Sequence, residues 1–313
     1  MQIVNSLIPI FSVIGLGVLL RHRGFLSGES TRAFNRFAYY FGLPLLLFYK
    51  IANVETLAGS QNLVLVALLL TSALTALLSW WITGFLDVPA NQRGTVIQAS
   101  FRGNLAFLGW PLILFLIEPL ATADKEAVET ALLIALAPTI LFYNVGSVFA
   151  LACYNSDSQN SFSWGSVAKS MLENPLIWAC AGGVLFQVLD LSLPTAVNRT
   201  CALIGNSAFP LALVGIGSQL ISISGASHWK ASLLPTATKC IICPLLGWGI
   251  GTLIGLSGVE LLATLIMCAT PTAVSSYILA DQMKGDGDLA ASTVVFCTAF
   301  SFPVLAILIW ITG

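Results

Sequence analysis

Apolar runs of about twenty residues recur from the first segment of the chain to the last, and no stretch between them has the charge density of a water-facing domain. As a helix, such a run matches the hydrocarbon thickness of a bilayer, about 30 Å. Charged residues make up 9% of the chain and hydrophobic residues 57%, against about 25% charged in soluble domains. A water-soluble core is therefore excluded, and an all-α, multi-pass membrane protein is expected.

Turn signals and charges divide the runs into ten expected spans, near 4–20, 34–54, 62–84, 95–118, 128–152, 168–189, 197–220, 231–254, 259–280 and 289–310. The opening run lacks a basic leader and is followed by "RHR" and a second apolar run, so it reads as a span rather than a cleaved signal. The serine- and asparagine-rich segment 154–166 reads as a cytoplasmic linker between an N-terminal half, 1–153, and a C-terminal half, 167–313. Arg21, Arg23, Arg32, Arg36, Arg93, Lys169, Lys230 and Lys284 fall in odd-numbered loops, against Lys50, Lys125 and Arg199 in the even ones. The positive-inside rule then puts both termini outside the cytoplasm, in a cell (inner) membrane.

Five spans on each side of a linker imply two five-helix repeats of opposite orientation. Pro9 and Pro175 stand 166 residues apart, as do Pro44 and Pro210, while Pro138 and Pro303 stand 165 apart. The same offset lays Asn104 over Thr270, and both lie in apolar runs interrupted by polar groups: "QASFRGNLAFLGWPLILFL" (98–116) and "LIMCATPTAVSSYILA" (265–280). Backbone without a helical partner is tolerated at membrane depth only where protein or a water-filled cavity covers it. Paired interruptions in two halves point to a solute site near the midplane. Gly103 permits tight turns, Asn104 offers a donor and an acceptor, and Pro271, flanked by Thr270 and Thr272, frees earlier carbonyls. Half-helices starting there would aim positive ends at an anion. The alternative is a pair of ordinary kinked helices with their bonds satisfied internally.

Arg102, one turn into the fourth span, is a candidate countercharge for an anion or a snorkelling side chain. Lys239, well inside the eighth span, is a candidate for charge pairing or coupling, with substrate, Asp281 or Glu173 as partner. Asp281 is a candidate proton carrier. Asn144, inside the fifth span, needs a polar partner and is a candidate cavity-lining group. The seven cysteines read as packing residues, "CIIC" (240–243) included, since no second ligand pair accompanies it. No metal or cofactor is expected, and no nucleic-acid partner at net charge −1. Motifs for nucleophilic, nucleotide-dependent or zinc catalysis are missing, so an enzyme is not expected.

"IPIFSVIGLGVLLRHRGFLS" (8–27), "FNRFAYYFGLPLLLFYKIAN" (34–53), "FRGNLAFLGWPL" (101–112) and "ATPTAVSSYILADQMKGDGDLAASTVV" (269–295) resemble the auxin efflux carrier family in its bacterial branch of malonate- and dicarboxylate-permease-like proteins. The resemblance runs over the whole chain. It implies ten transmembrane helices in two inverted five-helix repeats, with broken helices four and nine crossing. It further implies a scaffold from helices 1, 2, 6 and 7, commonly dimeric, and a transport domain from helices 3–5 and 8–10. Asn104 and Pro271 would then sit at the crossing, with Asn144 and the "FGLP" around Pro44 approaching the substrate. The expected function is secondary transport of small organic anions by an elevator-like shift, with protons as a candidate coupling ion. A membrane sensor using the same pocket is the alternative.

Overall fold

Three prolines, Pro44, Pro111 and Pro244, each stand at the second position of a helix that follows a widened, π-type turn. A proline lacks the N–H that would bond four residues back, and its ring crowds that carbonyl. Widening the turn moves the carbonyl aside. The bonds then run five residues, from Leu43 N to Ala38 O, Trp110 N to Leu105 O and Cys243 N to Thr238 O.

The computed structural model describes residues 2–53, 61–120, 122–154, 165, 172, 174–222 and 228–312. The linker expected at 154–166 lies outside the described residues apart from 154 and 165, as do Lys169 and Glu173. The described helices are α1 (Gln2–His22), α2 (Gly28–Phe37), α3 (Leu43–Ala52), α4 (Gln61–Phe85), α5 (Ala90–Phe101), α6 (Trp110–Ile117) and α7 (Thr122–Cys153). They continue with α8 (Pro175–Val188), α9 (Thr195–Ser222), α10 (Trp229–Ala237), α11 (Cys243–Leu253), α12 (Gly258–Ala269), α13 (Ser275–Gln282) and α14 (Gly287–Thr312).

The expected ten transmembrane helices in two inverted five-helix repeats, with broken crossover helices four and nine, are corrected by this architecture. Among the described residues, five helices are long and apolar enough to cross a membrane: Leu63–Phe85, Lys125–Cys153, Thr195–Ile221, Trp229–Leu253 and Gly287–Ile311. Four more, Leu7–His22, Leu105–Ile117, Pro175–Val188 and Gly258–Ala269, are apolar but shorter. The cause is local. Arg102–Asn104 and Thr270–Val274 end helices inside apolar runs, and polar α2 supplies the start of the run expected at 34–54. The fold is an all-α bundle with five long apolar helices.

The helices pack as two groups. In the first, α1 lies on α9 and α3 lies on α8 and α9. The α1–α9 contact is backbone on backbone. A Cβ at Gly17 would stand 2.2 Å from Val214 O, and one at Gly217 would stand 1.9 Å from Ile14 O. A buried hydroxyl pair, Thr31 Oγ1 and Ser218 Oγ at 2.6 Å, ties α2 to α9. In the second group α4, α5 and α7 pack together, α11 joins α4 and α12, and α14 lies against α10 and α13. The seam between the groups is thinly packed, chiefly α6 and α14 on α1. Trp81, Leu203, Leu253 and Trp310 are largely exposed on the outer faces, which suits lipid and not water.

Candidate functional site

Phe101 ends α5 and Ala269 ends α12, and the next residues of each leave the helix inside the bundle. Unpaired backbone groups there would cost several kcal/mol apiece in hydrocarbon. The two segments satisfy each other. Asn104 N donates to Pro271 O at 2.8 Å and Ala273 N to Arg102 O at 3.1 Å, forming an antiparallel bridge centred on Gly103 and Thr272. Side chains complete the accounting. Thr272 Oγ1 donates to Ala99 O and Thr270 Oγ1 to Met267 O, each at 2.7 Å.

Lys239 lies directly beneath. It is fully buried, and its ammonium donates to Cys268 O in the last turn of α12. A cation there meets the negative end of the helix and an orphan carbonyl. Gly103 closes the stack, because a Cβ on it would stand 2.5 Å from Thr270 Oγ1 and 3.2 Å from Lys239 Nζ. Thiols fill the surroundings: Cys240 Sγ and Cys297 Sγ are 3.3 Å apart, and Thr272 N donates to Cys297 Sγ at 3.3 Å. The two cysteines of "CIIC" thus face different neighbours, Cys243 standing 3.7 Å from Lys239 Nζ.

The bridge forms one wall of a cavity of about 570 Å³ between the two groups. Arg102, Gly103, Asn104 and Asn144 line it, with Tyr39 and Gln219 from the first group. Arg102 is buried, and its Nη2 donates to Asn144 Oδ1 at 2.8 Å and Ser275 Oγ at 3.0 Å. Its Nη1 is buried with no protein acceptor among the described residues. Arg32 and Arg36 of α2 line the same cavity from exposed positions, and no carboxylate lines it among the described residues. The Asn104 carboxamide makes no hydrogen bond among the described residues. Leu105, Ala106 and Phe107 also line the cavity, and their N–H groups, at a helix start, lack intrahelical acceptors. An acidic solute would find a guanidinium, a carboxamide and free N–H donors together.

Of the residues singled out in the sequence, Arg102, Gly103, Asn104 and Asn144 meet at this cavity. Thr270, Pro271 and Thr272 are buried behind it in the bridge, and Lys239 is buried below. Pro44 is buried beside Leu43, which lines the cavity while Pro44 does not. Asp281 is exposed at the end of α13 and outside the cavity. Tyr39, Tyr143, Gln219 and Ser275 also line the cavity without having been singled out. Arg32 and Arg36 carried a legible signal, since a four-residue spacing places both on one helical face.

Known proteins share this sequence pattern along its length. A family model described as "Membrane transport protein" matches residues 2–309. An "uncharacterized transporter" of Methanothermobacter thermautotrophicus is 23% identical, over 95% of this chain and 94% of that protein. The uncharacterized transporter YfdV of Escherichia coli K12 is 23% identical, over 94% of each. A protein of Rhizobium meliloti, provisionally named a malonate transporter, is 24% identical over 99% of this chain and 96% of its own. With a lipid-suited exterior, a polar cavity at a backbone bridge and a match spanning nearly its whole length, the chain belongs to the membrane transport protein family of the auxin efflux carriers, a family of transporters and not of enzymes.

Proposed function

We propose that the chain carries small organic anions, carboxylates first among them, across a cell (inner) membrane as a secondary transporter. The observation that supports this most is the buried Arg102 guanidinium, one of whose nitrogens has no protein acceptor among the described residues, beside a cavity that three arginines and no described carboxylate line. A buried charge without a counter-ion is costly, and a solute carboxylate is the partner it lacks. Asn104, Asn144 and the bridge around Gly103, Thr270, Pro271 and Thr272 complete the substrate-binding region in this reading. The Rhizobium meliloti relative makes dicarboxylates such as malonate the first compounds to try.

The thin seam between the helix groups supports an elevator-like mechanism. In it α1, α2, α3, α8 and α9 stay fixed, as a dimer with the termini outside the cytoplasm, while the other group shifts with the solute. The halves 1–153 and 167–313 each contribute helices to both groups.

Counterflow of labelled dicarboxylate in proteoliposomes tests the function. Saturable exchange supports it, and ligand binding without exchange would favour the sensor alternative. Asn104→Ala is expected to stay folded and to weaken binding about two- to tenfold, the worth of one or two neutral hydrogen bonds. Unchanged affinity and exchange would refute the site. Imposing a pH gradient across the same vesicles tests proton coupling, with Asp281 and Lys239 as the groups to substitute.

A further inference from the structure

A second cavity, also of about 570 Å³, is lined by Lys50, Asn53, Glu126, Glu129, Asn198 and Arg199, with a few neighbours. It lies at the opposite end of the bundle from the arginine-lined cavity. Asn198 of one and Gln219 of the other stand twenty-one residues apart on α9, about 30 Å of helical rise. Their electrostatics differ as well. Among the described residues, the first cavity is lined by three cations and no acid, whereas the second pairs two cations with two acids.

Lys50 Nζ, in the last turn of α3, donates to Glu129 Oε2 in the early part of α7 at 2.7 Å. The helix α3 belongs to the first group and α7 to the second, so this ion pair crosses the seam where packing between them is slight. On the α3 side the end is held in place: Asn53 and Asn198 exchange carboxamide hydrogen bonds at 2.9 and 3.1 Å, anchoring α3 to α9. The pair is partly solvated, with side-chain exposures of 31% and 13%. Parting it therefore strands neither charge in a dry interior. Glu126 and Arg199, lining the same cavity, offer each partner an alternative of opposite sign.

We propose that Lys50 and Glu129 form a latch that holds the two helix groups together at the far end while the arginine-lined cavity is open, and that releases when access passes to the far end. The latch rests on the transport reading above. A partly exposed pair biases such an equilibrium about two- to fivefold and does not lock it.

Reporter thiols introduced by Thr130→Cys in the far cavity and, separately, by Ile278→Cys in the arginine-lined cavity are labelled with an impermeant maleimide, and the parent cysteine background is subtracted. In the Thr130→Cys protein, Lys50→Gln or Glu129→Gln is expected to raise the labelling rate about two- to fivefold. In the Ile278→Cys protein the same changes are expected to lower it. The charge exchange Lys50→Glu with Glu129→Lys is expected to restore both rates. Thermal unfolding identifies any unfolded variant, and the isosteric Glu129→Gln then carries the test. Rates unchanged in both single variants, rates rising at both ends, or an exchanged pair behaving like the single variants would each overturn the latch. Reciprocal labelling in a protein without counterflow would sink the transport reading and leave the latch standing as a conformational contact.

Discussion

Gly103→Ala is the small change that tests the bridge most directly. The added Cβ would lie 2.5 Å from Thr270 Oγ1 and 3.2 Å from Cε and Nζ of Lys239. None of these atoms is free to retreat. Thr270 is fully buried and its hydroxyl is committed to Met267 O at 2.7 Å, while the Lys239 ammonium is committed to Cys268 O. Overpacking costs about 1–3 kcal/mol, and turning the Thr270 hydroxyl away forfeits roughly 1 kcal/mol more. The expected loss is about 2–4 kcal/mol, read as a lowered midpoint in thermal or chemical unfolding of the purified protein. Gly249→Ala is the control, because its Cβ would meet nothing within 4 Å, and it is expected to be neutral or slightly stabilising. A double-mutant cycle sharpens the test. In a Thr270→Ala background the nearest clash is gone, so Gly103→Ala is expected to cost about 1 kcal/mol less than alone. A Gly103→Ala protein within about 0.5 kcal/mol of the parent, or strict additivity with Thr270→Ala, would refute the packing described at the bridge.

Arg102→Gln is expected to weaken carboxylate binding about 10- to 100-fold, as loss of a charged hydrogen bond implies; a thermal-shift titration with dicarboxylates checks it. Arg32→Gln with Arg36→Gln is expected to slow solute capture at low ionic strength, with the deficit shrinking as salt is raised. Initial exchange rates across a salt series measure this. Lys239→Met is expected to cost about 1–3 kcal/mol of stability by leaving the Cys268 carbonyl unpaired. In unfolding experiments Thr270→Ala should then no longer add its full cost, since both changes loosen the same turn.

The membrane class was legible because it needs only the length and spacing of apolar runs. So were the places where Arg102 and Thr270 end their helices, since Gly103, Asn104 and Pro271 are groups an apolar helix has no use for. The number of long helices was not legible. Apolarity continues through Leu105–Ile117 whether or not the backbone does, so a run of about twenty residues overstates the helix within it. The widened turns before Pro44, Pro111 and Pro244 are equally silent, because a proline is compatible with a kink, a start or a π-type turn. Tyr39 and Gln219 went unnoticed for a different reason. Which face of an almost wholly apolar helix meets a cavity depends on its neighbours, and sequence periodicity is weak when the outer face is as greasy as the core. The destination of the Lys239 ammonium, a carbonyl on another helix, has no sequence signature at all.

The mutual hydrogen bonding of 102–104 with 271–273 has a mechanical corollary. Neither segment can be withdrawn alone without baring polar backbone to hydrocarbon, so the ends of α5 and α12 are fastened to each other through their backbones. A substitution that disturbs one segment is therefore expected to loosen the other.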